Sequence, residues 1–125
     1  MIVGVGTDIV TVARMAEKLT SNGDRFAKRL LTESEYAEYQ TKQNGAAFLA
    51  KRFAAKEAAV KAMGTGFAEG ITWKHINISN NEKGAPYIEF SGPAQEKAQQ
   101  LGVCSVHLSI SDEKEHAVAF VILES

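Results

Sequence analysis

One cysteine, Cys104, in 125 residues rules out an internal disulfide and fits a reducing compartment. It falls in an apolar-alternating run, where its expected role is that of a small buried hydrophobe. Positive charge is not in excess: 14 basic and 15 acidic residues leave a formal net charge of −1. That excludes the broad basic footprint of a nucleic-acid binder, so any charged partner must be met by a local patch. The opening stretch, Met1-Ile2-Val3-Gly4-Val5-Gly6-Thr7-Asp8, has no basic leader and is broken by glycine, so no signal peptide is expected. No apolar run nears the ~18 residues of a membrane helix. The expectation is a soluble, cytoplasmic chain with neither nucleic acid nor membrane as partner. One cysteine and three histidines make no tetrahedral zinc set, and there is no nucleophile elbow or Walker loop. Repeats, linkers and low-complexity segments are also missing.

What is present reads as a folded chain. The hydrophobic fraction is 45%, and the length suits one domain over residues 1–125, small enough that oligomerisation would add useful burial. Ile2 to Val10 is apolar and β-branched, a buried strand with Asp8 near its end. Thr11 is placed to cap a helix from Val12 to about Ser21, stopped by Gly23. Asp24 is placed to cap a short helix carrying Phe26 and Leu30, and Thr32 with Glu35 forms a capping box for a third through Tyr39. An alanine-rich helix runs from about Ala46 to Met63 and ends at Gly64. The period then changes: Ile76 and Ile78 alternate with polar residues, Asn80 to Gly84 turn, and Tyr87 to Phe90 return. Pro93 opens a helix that Gly102 closes. Cys104, Val106, Leu108 and Ile110 face one way, Ser105, His107, Ser109 and Ser111 the other, and Ala117 to Leu123 form a last buried strand. The order predicts an α+β fold with a largely antiparallel sheet.

The long helix carries the first candidate chemistry. Phe53, Glu57, Lys61 and Gly64 share one stripe, which reads either as a solvated Glu-to-Lys pair or as a carboxylate and an ammonium aimed at a ligand. Asp8, an aspartate ending an apolar strand, reads either as a cap or turn residue or as a ligand of Mg²⁺, which takes one or two protein carboxylates and fills its shell with water and phosphate oxygens. Asp8 with Glu57 meets that need, and Lys61 one turn away can hold a phosphate as a point charge. Gly64-Thr65-Gly66 reads either as a helix C-cap or as a loop whose amides approach an anion. His107 reads as a structural hydrogen-bonder or as a binding residue beside Ser109.

Several blocks, in order, resemble the acyl-carrier-protein synthase family of small trimeric 4′-phosphopantetheinyl transferases. These are Gly4-Val5-Gly6-Thr7-Asp8-Ile9-Val10 with Arg14; Arg25 to Glu35; Arg52-Phe53-Ala54-Ala55-Lys56-Glu57-Ala58-Ala59-Val60-Lys61-Ala62-Met63-Gly64-Thr65-Gly66, the most specific; and His107-Leu108-Ser109-Ile110-Ser111-Asp112. The likeness spans the chain. It implies the 4′-phosphopantetheinyl transferase fold and transfer of 4′-phosphopantetheine from coenzyme A to a serine of apo acyl carrier protein, with release of 3′,5′-ADP, in support of fatty acid synthesis. By position it implies that Asp8 and Glu57 hold Mg²⁺ with the coenzyme A pyrophosphate, that Lys61 contacts the phosphates, and that Arg52 reaches the nucleotide end. It also implies a homotrimer in which His107 and Ser109 help bind coenzyme A from a neighbouring subunit.

In such a transfer metal and lysine neutralise charge on the phosphoryl oxygens; the serine proton goes to Glu57 or to a Mg²⁺-bound water, and the sequence does not choose. The acidic carrier would meet the basic cluster Arg14, Arg25, Lys28 and Arg29. Three positions depart from the family pattern: Thr11 stands where an acidic residue is common, and Lys74-His75 replaces a more acidic pair. The rival reading is a non-catalytic α+β module that binds an acidic partner through the same basic cluster. It leaves the combination of Asp8, Glu57 and Lys61 unexplained.

Overall fold

A computed structural model describes residues 1–125. Strand β1 (Ile2–Thr11) leads into helices α1 (Val12–Asn22), α2 (Asp24–Leu30), α3 (Glu33–Tyr39) and α4 (Gly45–Met63). A short 3-10 turn (Trp73–His75) precedes the hairpin strands β2 (Ile76–Asn80) and β3 (Pro86–Phe90), and α5 (Gly92–Gln100), β4 (Ser105–Asp112) and β5 (His116–Glu124) complete the chain. The expected punctuation holds at most joints. The Thr11 hydroxyl accepts the Arg14 N–H at 3.3 Å, Glu35 Oε1 accepts the Thr32 N–H at 2.8 Å in a full capping box, and Gly64 closes α4 in the left-handed region. Asp24 is corrected: Gly23 takes the cap position and Asp24 is the first helical residue, its carboxylate accepting the Tyr36 hydroxyl.

All strand pairs are antiparallel, in two sheets: a three-stranded one ordered β1-β5-β4 and the separate β2-β3 hairpin. Helix α4 packs on one face of the larger sheet, and thirteen of its nineteen residues are buried. Such a helix carries apolar residues all round, and its alanines let neighbours approach. Contact with β1 is close enough to demand glycine: a Cβ on Gly4 would lie 1.9 Å from the Ala62 carbonyl oxygen, and one on Gly6 1.9 Å from that of Ala58.

Only one face of this sheet is covered, which corrects the expectation that β1 and the last strand are wholly buried. Val10, Ala117, Ala119, Val121 and Leu123 are buried on the α4 side. On the other side Val5, Ile9 and Phe120 are 51%, 64% and 42% exposed. Strand register sets Val5, Ile122 and His107 in one row and Thr7, Phe120 and Ser109 in the next. Cys104 is also corrected: it is exposed, because it stands one residue before β4, an edge strand of the sheet. No helix is long and apolar enough to cross a membrane.

Candidate active site

Because β1 lies flush on α4, Asp8 near the end of the strand is brought against the helix stripe that begins at Phe53. Lys61 Nζ donates to Asp8 Oδ1 at 2.9 Å and to the Thr7 carbonyl at 3.1 Å. The Glu57 carboxyl is pushed above the usual carboxylate range, first by burial and then by the Asp8 charge, while Lys61 and Arg14 pull it down. Arg14, from α1, stacks its guanidinium 5.0 Å from the Phe53 ring centre. Two carboxylates and two cations from three elements therefore converge where the helix stripe meets the strand end. The amine of Lys61 is half exposed, with a side-chain exposure of 51%, so a ligand can compete for it. No group of three or more His, Cys, Asp or Glu side chains suited to hold a metal forms; Asp8 and Glu57 are two carboxylates without a third.

The structure divides the basic cluster read from the sequence. Arg14 faces Glu57 and Phe53, while Arg25, Lys28 and Arg29 are exposed on α2. Gly64, Thr65 and Gly66 form a helix cap: their N–H groups donate to the Lys61 carbonyl at 3.0 Å and to the Val60 carbonyl at 3.2 Å twice. Those amides are already used in satisfying the last carbonyls of α4.

Arg52 lies five residues before Glu57, about 140° round the helix, and does not join the Asp8 cluster. It is buried, stacks 4.5 Å from the Phe48 ring centre and lies 3.5 Å from a Glu38 carboxylate oxygen. It lines a separate cleft of about 660 Å³ with Lys42, Lys51 and Asn80. His107 and Ser109 stand on the outer face of the sheet, away from α4, where His107 Nε2 is 2.9 Å from Glu124 Oε1.

Two features have no counterpart in the sequence reading. Trp73 stacks between Phe53 and Phe67, with ring centres 5.1 and 3.9 Å away, so an aromatic wall adjoins the Glu57 stripe. Two of its members come from the irregular segment after α4, where no periodicity marks them. The other feature is a buried ion pair next in sequence to Glu57. Lys56 Nζ donates to Glu35 Oε1 at 2.7 Å, to the Leu30 carbonyl at 2.7 Å and to the Trp73 carbonyl at 3.0 Å. Glu35 Oε2 accepts the Ile78 N–H at 2.7 Å. A lysine among Ala54, Ala55, Ala58 and Ala59 was the available signal: its neighbours are those of a buried helix face.

Known proteins share this chain's sequence pattern and fold. The model of the 4′-phosphopantetheinyl transferase superfamily matches residues 4–121, which include both carboxylates and the lysine. A holo-[acyl-carrier-protein] synthase of Shewanella pealeana is 52% identical over 131 residues, with all of both chains covered. The crystal structure of the Neisseria meningitidis holo-[acyl-carrier-protein] synthase superposes with a TM-score of 0.92 at 40% identity, again over all of both chains. That of the Helicobacter pylori enzyme in complex with coenzyme A does so with a TM-score of 0.84 at 32% identity, over 96% of this chain and 99% of that one. With the fold, the motif order and the full length in agreement, the chain belongs to the 4′-phosphopantetheinyl transferase superfamily.

Proposed function

We propose that this chain transfers the 4′-phosphopantetheine group of coenzyme A to a serine of apo acyl carrier protein, releasing 3′,5′-ADP. The observation that carries the reading is the convergence of Asp8, Glu57 and Lys61 in a fold shared with a relative solved in complex with coenzyme A. A non-catalytic binding module would have no use for a half-buried carboxylate pushed up beside a second one.

The donor set fits Mg²⁺. Asp8 and Glu57 offer hard oxygens, and their mutual repulsion is what a divalent cation relieves. These two residues would hold the ion, which when bound supplies positive charge against the pyrophosphate oxygens. Lys61, half exposed, turns its ammonium from Asp8 to a phosphate oxygen. A bond forms between the carrier serine oxygen and the β-phosphorus, the bond from that phosphorus to 3′,5′-ADP breaks, and ADP leaves with the electron pair. Of the cluster's own side chains Glu57 is the one suited to take the serine proton, since Lys61 and Arg14 are cationic and burial beside Asp8 raises the proton affinity of the Glu57 carboxyl. The cleft beside Arg52, with Lys42 and Lys51, takes the nucleotide end.

The acidic carrier docks on Arg25, Lys28 and Arg29, with Arg14 at the edge nearest the reacting atoms. The uncovered apolar face with Val5, Ile9 and Phe120 supports a homotrimer. His107 and Ser109 project from that face, away from their own Glu57, so they serve a neighbour's site. An exposed free thiol at Cys104 suits a reducing, cytoplasmic setting.

Mixing the protein with coenzyme A, Mg²⁺ and an apo carrier tests the reading. The carrier mass should rise by one phosphopantetheinyl group, and EDTA should prevent it; an unchanged carrier with intact coenzyme A overturns the reading. For the shared site, refolding Glu57→Ala together with Ser109→Trp should give more activity than either parent, and a mixture no better than the parents' average shows that each site belongs to one chain.

A further inference from the structure

Lys74 has no part in the chemistry above. In the 3-10 turn it is exposed, yet its amine is directed inward. Nζ donates to the carbonyls of Lys28 and Leu31, and Lys56 Nζ, from the other side, takes the Leu30 carbonyl at 2.7 Å. Two ammonium groups thus hold the last turn of α2, a helix of only seven residues. A helix so short is not stable alone, and its last carbonyls need partners. Cations at a helix C-terminus satisfy them and complement the helix dipole. Arg25, Lys28 and Arg29 ride on that same helix, and Lys28 and Arg29 fall in its last turn.

The geometry points to Lys74 as a positioning residue for carrier recognition: clamping the C-terminal end of α2, it fixes the direction in which Arg25, Lys28 and Arg29 present their charges, without meeting the carrier itself. This rests on the reading of α2 as the carrier-docking helix. Lys56 supplies the buried half of the clamp and Lys74 the replaceable half, because Lys74 is exposed and can be changed with the core intact.

Steady-state kinetics of the whole enzyme, with coenzyme A and an acidic apo carrier varied in turn, test it. Lys74→Met should raise the carrier KM about five- to tenfold, leave the coenzyme A KM and kcat at saturating carrier within twofold, and speed hydrogen exchange at the α2 amides. Lys74→Arg, which can reach the same carbonyls, should restore most of the carrier KM. In a double-mutant cycle with Arg29→Glu, the Lys74→Met effect should shrink once Arg29 is reversed, because the two act through one helix. If Arg29→Glu leaves the carrier KM unchanged, α2 is not the docking helix and the underlying reading fails. If Arg29→Glu raises that KM while Lys74→Met does not, or if the two effects simply multiply with α2 exchange unaltered, the positioning role of Lys74 is overturned and the docking reading stands.

Discussion

Helix α4 carries two clusters of the same chemical groups in opposite conditions. On one side Glu57 and Lys61 meet Asp8, and Lys61 is half exposed. On the other, Lys56 and Glu35 are fully buried, with every oxygen and amine facing a named partner, and Arg52 close by. In this sealed cluster the Lys56–Glu35 pair spends its hydrogen-bonding capacity inside the protein, while the buried Nε of Arg52 has no hydrogen-bond partner. The pair ties the end of α2, the start of α3, the Trp73 turn and β2 to α4. The open cluster keeps a repelled carboxylate and a displaceable amine, so it has affinity left for a ligand. Residue type alone does not separate structure from function here; saturation of the hydrogen bonds and access to solvent do.

The sharpest way to break this contrast is to remove a partner from each cluster and measure folding. Glu35→Ala or Lys56→Ala leaves a buried charge without its counter-ion and should cost about 3–5 kcal/mol of stability. Asp8→Ala should cost no more than about 1 kcal/mol, as expected of a group that loses one partly exposed pair. Urea midpoints check this, and equal losses in the two clusters would erase the distinction.

Turnover should show the reverse order. Asp8→Asn and Glu57→Gln should each lower kcat about 10²- to 10³-fold, the range for removing one preorganised charge from a transition state, with circular dichroism unchanged. Lys61→Ala should lose less, about tenfold, because the proposed Mg²⁺ would share its work. EDTA should silence the wild type and Mg²⁺ or Mn²⁺ restore it. Full activity of Asp8→Asn in limiting Mg²⁺ would remove Asp8 from the metal.

A smaller effect should come from the exposed charges, which belong to neither cluster. Arg29→Glu should raise the carrier KM several-fold and flatten its salt dependence, because a screened surface charge acts mainly on encounter. The coenzyme A KM should not move. Equal damage to both substrates places Arg29 in the nucleotide site.

The open cluster was legible in the sequence because its signals are local. Glu57 and Lys61 share a helix stripe, and Asp8 breaks an apolar strand where acidic residues are scarce. The caps at Thr11, Thr32 and Gly64 were legible for the same reason. The sealed cluster was not, since its partners lie 21 residues apart and Glu35 already had a complete local explanation as a capping-box residue. The motif string did not show that Arg52 leaves the Glu57 stripe, since five residues turn a helix by more than a third of a circle. The Gly64 to Gly66 amides were read two ways and the structure uses them as a cap. The split of Arg14 from α2 and the stacking of Phe67 on Trp73 depend on the packing of irregular segments, which no period encodes.

The finest distinction between the clusters concerns what ionisation does to the fold. The Glu57 carboxyl is raised above its ordinary 4.5 by burial and by Asp8, so folding favours its protonated form. Stability from a raised carboxyl is fully present below the unfolded value and is lost as pH rises through the folded one. At pH 7 ionised Glu57 is therefore a cost to the fold, one that its proposed catalytic role would require. In EDTA, Glu57→Gln should melt above the wild type at pH 7, and the gap should close as pH falls below about 4.5, where the wild type no longer carries that charge. Glu35→Gln should melt below the wild type at both pH values, because its two oxygens accept bonds that an amide cannot all replace. Adding Mg²⁺ should then raise the wild-type midpoint by mass action and leave Glu57→Gln nearly unmoved, narrowing or reversing the order at pH 7. If Glu57→Gln melts lower than the wild type in EDTA at pH 7, then Glu57 is a stabilising member of the fold and the two clusters do not differ in kind.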